Sequence, residues 1–309
     1  MTVYIDPGFS ADKLRHSLFE GDLIILTRLI AVSNLVEYTR DQLTSLFAPH
    51  DPEHAHEHID PPEMARILGA WKPRFIHSDE AGKLVGEIVK EAGLPAEFTH
   101  YDLPKPRTSF PRGHLTTGVA FAFPWHRDSW YSAPAQQINW WLPIYSVRPD
   151  NSMSFDLHSF DQPVPNTSDT FDYYRNNTQR LATAASVGQE QQARPGAVGH
   201  APVNELTVLP PPGGVLLFAG AQLHASIPNT SGVARYSIDF RTVDARDLEA
   251  GRGAPFVDVH CTGTAVRDFV NVSNGASFDE ELVVRLFGQP PEDAMLVFDA
   301  AAGETLTPT

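Results

Sequence analysis

The stretch Arg235-Tyr236-Ser237-Ile238-Asp239-Phe240-Arg241-Thr242 alternates polar and apolar side chains without a break. Successive side chains of an extended chain point to opposite faces, so Tyr236, Ile238 and Phe240 predict one apolar face against a core. Arg235, Ser237, Asp239 and Arg241 then share the other face. Similar short runs, rich in β-branched and aromatic residues and cut by Pro and Gly, occupy Thr116 to Phe123, Gln136 to Ile144, Ser152 to Leu157, Glu205 to Leu209 and Gly214 to Phe218. A row of such strands predicts a sandwich or barrel core over 110–245. The polar face has two readings: an edge strand with solvated charges, or an inward face that binds a ligand.

Outward from this core the pattern changes. The first hundred residues read as mostly helical, with three-to-four spacing at Asn34 to Phe47, Pro62 to Trp71 and Asp79 to Gly93. Pro61 and Pro62 suit a helix start, Gly93 and Pro95 a stop. Gly21 to Thr27 predicts one early strand. Within the core region, Ser168 to Ala185 predicts a helix, and Val187 to Asn204, rich in Gln, Gly and Pro, a mobile surface loop or lid. Residues 246–309 form a C-terminal extension, with a last helix at Ser277 to Phe287 and a frayed tail after Ala300. The expectation is a single catalytic domain over 1–309, mainly β with helical additions.

Composition narrows the partners. Lys and Arg number 23 against 38 Asp and Glu, a formal net charge of −15 that repels phosphate backbones and anionic lipid. No nucleic-acid or membrane partner is expected. The apolar run Leu23 to Ile30 is interrupted by Arg28 and too short to span a bilayer. Cys261 is the only cysteine, so no internal disulfide can form, and a soluble cytoplasmic protein, monomer or homodimer, is expected. Gly251-Arg252-Gly253 lacks the third glycine and preceding strand of a dinucleotide site, and neither a phosphate-binding loop nor a nucleophile elbow is present.

The chemistry starts at Trp125-His126-Arg127-Asp128. On a strand His126 and Asp128 face one point while Arg127 faces away. With a distant His224 they compose a 2-His-1-carboxylate set, two neutral nitrogens and one negative oxygen, leaving open positions on one side of an Fe(II) ion. A lone His-x-Asp among 13 histidines is weak evidence. The following stretch strengthens it: Arg235, eleven residues beyond His224, offers a guanidinium fork matched to a carboxylate, with the Ser237 hydroxyl beside it. A rival metal site is the His-rich run His50 to His58, though Pro52 and its charge density favour a solvated loop.

His126-x-Asp128, Pro211-Pro212-Gly213-Gly214-Val215-Leu216-Leu217-Phe218, His224-Ala225-Ser226, Pro228-Asn229 and Arg235-Tyr236-Ser237 together resemble the Fe(II)/2-oxoglutarate-dependent oxygenases, and among them the phytanoyl-CoA dioxygenase-like branch. The resemblance runs from about Thr116 to Thr242. It implies a double-stranded β-helix (jelly-roll, cupin-like) core, with Fe(II) held by His126, Asp128 and His224, 2-oxoglutarate as cosubstrate held by Arg235, and dioxygen (O2) as oxidant. Ser226 and Trp141 match cosubstrate-contacting positions; Ser237 fits less closely. Trp141 shares a face with Gln137 and Asn139, which places Asn139 in the same cosubstrate-binding group. The implied reaction is oxidative decarboxylation of 2-oxoglutarate to succinate and CO2, coupled to oxidation, typically hydroxylation, of an unactivated C–H bond in a small molecule of specialised biosynthesis. Asp128 distinguishes the chain from the halogenases of that superfamily, which carry a small residue there.

For the substrate, Trp125, Trp130 and Tyr131 crowd the His-x-Asp motif, either lining the mouth or packing in the core, while Trp140 is expected in the core. Arg241 either meets an anionic group of the substrate or pairs with Asp239. The acidic balance favours a neutral or cationic substrate. Two other classes stay open: a jelly-roll metalloprotein with non-oxidative isomerase or epimerase chemistry, which has no need of Arg235, and a non-catalytic small-molecule-binding barrel.

Overall fold

A computed structural model describes residues 1–116, 120, 122–177 and 194–291. Its larger sheet has eight strands, in the order β1 (Val3–Ile5), β2 (Leu23–Leu26), β8 (Val215–Ala219), β5 (Ile138–Pro143), β10 (Arg235–Asp244), β3 (Thr99–Tyr101), β11 (Val270–Asn271), with β4 (Lys105–Ser109) also on β10. A smaller sheet has the order β7 (Glu205–Val208), β6 (Met153–Asp156), β9 (His224–Ser226). Every pairing is antiparallel except β1 with β2.

The alternation of 235–242 dictates how the layers stack. Tyr236, Ile238 and Phe240 join Ile138, Trp140 and Leu142 of β5 in a buried cluster with α1 (Ala11–Phe19), α2 (Ile30–Phe47), α3 (Pro61–Ile76) and α4 (Asp79–Glu91). The helices therefore cover one face of the large sheet. On its other face Trp141, Leu216, Phe218, Leu23 and Ile25 meet Met153, Phe155 and Val208 of the small sheet. The polar face of β10 thus points into the space between the sheets, in keeping with the inward reading: β10 is central, with β5 on one side and β4 then β3 on the other.

Several boundaries differ from expectation for identifiable reasons. Helix α1 escaped the apolar pattern because its buried face includes Arg15, which pairs with Asp244 and Asp247. Ser10 caps it, its side chain accepting from the Lys13 N–H at 3.3 Å. Helix α3 continues past Trp71 to Ile76, tolerating Pro73 near its end. Of the strand expected at Thr116 to Phe123, 117–119 and 121 lie outside the described residues, and none of the described positions is in a strand. Of the helix expected at Ser168 to Ala185, Ser168–Thr170 is a 3-10 turn and 173–177 is helical, with 178–185 outside the described residues. The expected loop at Val187 to Asn204 is described from 194 onward, and that part is stitched down: Ala197 N–H donates to Trp125 O at 2.8 Å and Tyr131 Oη to Pro195 O at 2.7 Å. The tail after Ala300 is outside the described residues; the C-terminal helix spans Glu280–Phe287. Among the described residues, no helix is long and apolar enough to cross a membrane.

Candidate metal centre

Local backbone brings the motif residues together. His126 and His224 exchange both backbone hydrogen bonds at 2.9 Å, an isolated antiparallel bridge that ties the first motif to β9. Contrary to the strand expected through 126–128, the chain turns at once into the 3-10 segment Asp128–Tyr131. The alternation survives because Arg127 is extended, at φ −112° and ψ 143°. Arg127 does face away, into a buried nest: Nε donates to Asp258 Oδ2 at 3.1 Å, and its other nitrogens to the carbonyls of Ser159, Phe160, Ala221 and Gln162.

One donor atom each from His126, Asp128 and His224 falls within 4.8 Å of the others, and all three residues are buried. Among the described residues this is the single such cluster of three. Its internal wiring is specific. His126 Nδ1 lies 2.8 Å from Pro124 O and His224 Nδ1 2.9 Å from Gln222 O. Each carbonyl takes a proton on Nδ1 and leaves the Nε2 lone pair free for a cation. Both Nε2 atoms face Asp128 Oδ1, at 3.6 and 3.9 Å. The second oxygen, Oδ2, is held by Gln137 Nε2 at 3.2 Å and Arg241 Nε at 3.4 Å. Burial opposes ionisation of Asp128, but the His126 contact and the Arg241 charge outweigh it and hold the carboxyl well below the usual range. Burial, with His126 beside it, pushes His224 down to about 3, so its imidazole is neutral at physiological pH. Two imidazole nitrogens and a carboxylate oxygen suit Fe(II) or a neighbouring divalent transition ion.

The rest of the polar face lines the approach. Arg235 is buried and lies over the Trp141 ring, its Cζ 5.7 Å from the centroid. Trp141 sits opposite Asp239, four residues on, so the guanidinium leans along β10 toward the metal cluster. Nη1 reaches the Asn151 and Ser152 carbonyls at 3.3 and 3.2 Å, while Nε is buried without a hydrogen-bond partner. Among the described residues no carboxylate lies within ion-pair distance of it. Burial and the nearby Arg107 push it down to about 10, with Asp239 opposing. The Ser237 hydroxyl on the same face is likewise buried and unpartnered. A buried cation and hydroxyl left unsatisfied are costly unless a ligand completes them, and a dicarboxylate has the charge and acceptors to do so.

The remaining expected site residues fall as follows. Ser226 ends β9, half-buried, with its N–H on Phe123 O at 2.9 Å. Asn139 is buried and acts one step back from the cavity, its Oδ1 accepting from Gln137 Nε2 at 2.8 Å. Tyr131 stands edge-on to His126, ring centroids 5.7 Å apart, and Trp125 edge-on to His200 at 5.6 Å; both are half-buried. Trp130 is corrected from the mouth to the core: it is fully buried and its Nε1 donates to Asp258 at 2.8 Å. Arg241 is committed internally, pairing with Asp102 at 3.2 Å, Asp239 at 3.0 Å and Asp128 at 3.4 Å. The His-rich run gathers no three-ligand group; His54 pairs with Glu57 at 3.0 Å and His50 stacks on His58 at 4.3 Å.

No protein-family model matches this chain, and no curated protein matches it. Among solved structures it is similar to EvdO2 from Micromonospora carbonacea var. aurantiaca, solved complexed with 2-oxoglutarate, at 15% identity and a TM-score of 0.46 over 75% of this chain and 90% of that one. It is similar to the epimerase SnoN, solved in complex with Fe3+, alpha ketoglutarate and nogalamycin RO, at 13% identity and a TM-score of 0.41 over 76% and 84%. AviO1 from Streptomyces viridochromogenes Tue57 matches at 15% identity and a TM-score of 0.38 over 74% and 95%. Likeness this distant assigns no activity, and the chemistry is carried by the side chains.

Proposed function

We propose that this chain is a non-heme Fe(II)- and 2-oxoglutarate-dependent oxygenase that oxidises a C–H bond of a small molecule, its two sheets forming a double-stranded β-helix. The observation that carries the reading is the pairing of two features: a converged His126/Asp128/His224 donor set and, on the polar face of β10 whose Arg241 meets Asp128, the buried guanidinium of Arg235 with no carboxylate partner among the described residues. Iron bound there would supply dioxygen activation coupled to decarboxylation of the oxo acid.

The protein residues have separate tasks. His126 and His224 present Nε2 because their Nδ1 protons are spent on carbonyls. Gln137 and Arg241 hold Asp128 Oδ2, so that Oδ1 alone turns toward the imidazoles. Arg235 and Ser237 receive the distal carboxylate, and Trp141 walls the cavity behind it. The apolar packing of Met153, Phe155, Leu216 and Phe218 excludes water from the inner end. Metal chemistry without 2-oxoglutarate would leave the Arg235 charge without a purpose, whereas an epimerisation that uses 2-oxoglutarate needs the same residues; a plain binding barrel would not need two imidazoles with fixed tautomers beside a carboxylate.

Anaerobic addition of Fe(II) and 2-oxoglutarate should give a weak visible charge-transfer band. His126→Ala and Asp128→Ala should abolish it and Arg235→Ala greatly weaken it. A full-strength band in Arg235→Ala, or none in the parent chain, would refute the assignment. A substrate screen reading succinate release then identifies the molecule oxidised.

A further inference from the structure

Although the chain is strongly acidic overall, cations collect around this cavity. Lys72, Lys105, Arg107, Arg235 and Arg241 lie within electrostatic reach of Asp102, Asp128, Asp239 and Asp268. Burial raises Asp268 to about 7 and, with Arg107, lowers Lys72 to about 7, so neither carries its full charge at neutral pH. Fe(II) and doubly charged 2-oxoglutarate would cancel each other, so their binding leaves the balance among these groups unchanged.

Arg107, about a third exposed, forks onto Asp239 through Nε at 2.6 Å and Nη2 at 3.1 Å, and among the described residues Nη1 has no protein hydrogen-bond partner. Its Cζ lies 5.4 Å from the Phe123 ring centroid, and that of Arg194 lies 4.9 Å from the same ring. Phe123 in turn stacks on the metal-cluster His126 at 5.0 Å, with Tyr131 edge-on at 6.3 Å. Two guanidinium groups therefore flank an aromatic platform that touches a donor imidazole.

We propose that the molecule oxidised is an organic anion, whose carboxylate, sulfate or phosphate group is held by Arg107 and Arg194 while its carbon skeleton rests on Phe123 and Tyr131 beside the metal centre. This assignment rests on the Fe(II)/2-oxoglutarate reading and replaces the neutral or cationic substrate expected from net charge. Whole-chain charge averages over the surface; the cavity is built from β4 and β10, where the basic residues concentrate.

The test uses the full chain, anaerobic and saturated with Fe(II) and 2-oxoglutarate so that Arg235 is already engaged. Calorimetric titration compares three isosteric probes: benzoate, benzamide and benzylamine. Benzoate should bind at least about tenfold more tightly than benzamide, with benzylamine weakest. Arg107→Gln and Arg194→Gln should each weaken benzoate about tenfold and leave benzamide unchanged. Arg107→Lys keeps the charge beside Asp239 and should retain part of the preference, which separates loss of the anion contact from misfolding. Equal binding of benzoate and benzamide, binding of none of the three, or indifference of benzoate to both Gln variants overturns the proposal. The charge-transfer band in the same samples reports the metal and cosubstrate independently. A band without benzoate preference sinks the anion site alone. A missing band sinks the iron reading, and benzoate preference in the metal-free chain would then still support the anion site.

Discussion

Asp128 divides its two oxygens between the cluster and the scaffold, so residues that never touch a metal should still govern its binding. Arg241→Met removes one of the two groups on Oδ2, yet Asp239 keeps Arg107 and Asp102 keeps Lys105, so no carboxylate is stranded. Metal affinity should fall about 10- to 100-fold with little change in thermal stability, measured by competition with a chromophoric chelator. At the other end of the face, Arg235→Lys should weaken 2-oxoglutarate on the order of a hundredfold while leaving metal affinity intact, because one ammonium cannot reproduce the fork. That His126, Asp128 and His224 could converge, and that Arg235 shares the polar face of β10, was legible from sequence, since donor type and period-two spacing are local properties. Gln137 was passed over as a holder of Asp128: an amide carries no spacing signature, and its role depends on β5 lying next to the turn. Arg107 was missed for the same kind of reason, its meaning arising only when β4 pairs with β10.

The 3-10 segment Asp128–Tyr131 is the element that aims the carboxylate, and Asp258 is what fixes it. That one carboxylate takes Arg127 Nε at 3.1 Å, Trp130 Nε1 at 2.8 Å and the Val164 N–H at 3.0 Å, all buried. Asp258→Ala would strip the Arg127 cation of its ion-pair partner in the interior, leaving only the weaker pull of Asp156 and Asp161, and should cost about 3–5 kcal/mol, read by chemical denaturation. The metal site should loosen in the same variant. A destabilisation below about 1 kcal/mol would show that the carbonyl nest alone suffices. Strand β10 was readable because one face is wholly apolar. The turn after Arg127 was not, because Asp258 lies 131 residues away and no local pattern announces the partnership. Helix α1 hid for a related reason: its buried Arg15 is satisfied by Asp244 and Asp247 at the far end of the chain.

Over the whole molecule the C-terminal extension behaves as part of the core. Val243 of β10 and Leu248 pack with Val266, Phe269, Phe278 and Val283 in a buried cluster of their own. Truncation at residue 255 should therefore yield insoluble chain or one that gives no charge-transfer band. Asp268, in the same extension, sets a pH dependence. Burial raises its carboxyl from 3.8 to about 7, with Lys105 opposing, and Tyr173 donates to it. The native state then holds a proton that the unfolded chain releases. Its stabilising contribution is complete below about pH 3.8 and is lost as the pH climbs through 7. Asp268→Asn should match the parent below about pH 3.8 and exceed it increasingly up to pH 8, the gap reaching on the order of a few kcal/mol. Lys72 titrates near the same pH in both proteins, so comparing variant with parent at each pH cancels it.

The reciprocal pair of backbone hydrogen bonds between His126 and His224 makes the spacing of the two imidazoles a property of main-chain geometry. First-row divalent ions differ too little in radius for a fixed template to sort them, and nitrogen and oxygen donors bind cobalt or nickel at least as firmly as ferrous iron. Which ion occupies the centre is then decided by what the surroundings supply. Redox-silent substitutes should seat themselves in the same place and arrest the chain with its ligands aboard.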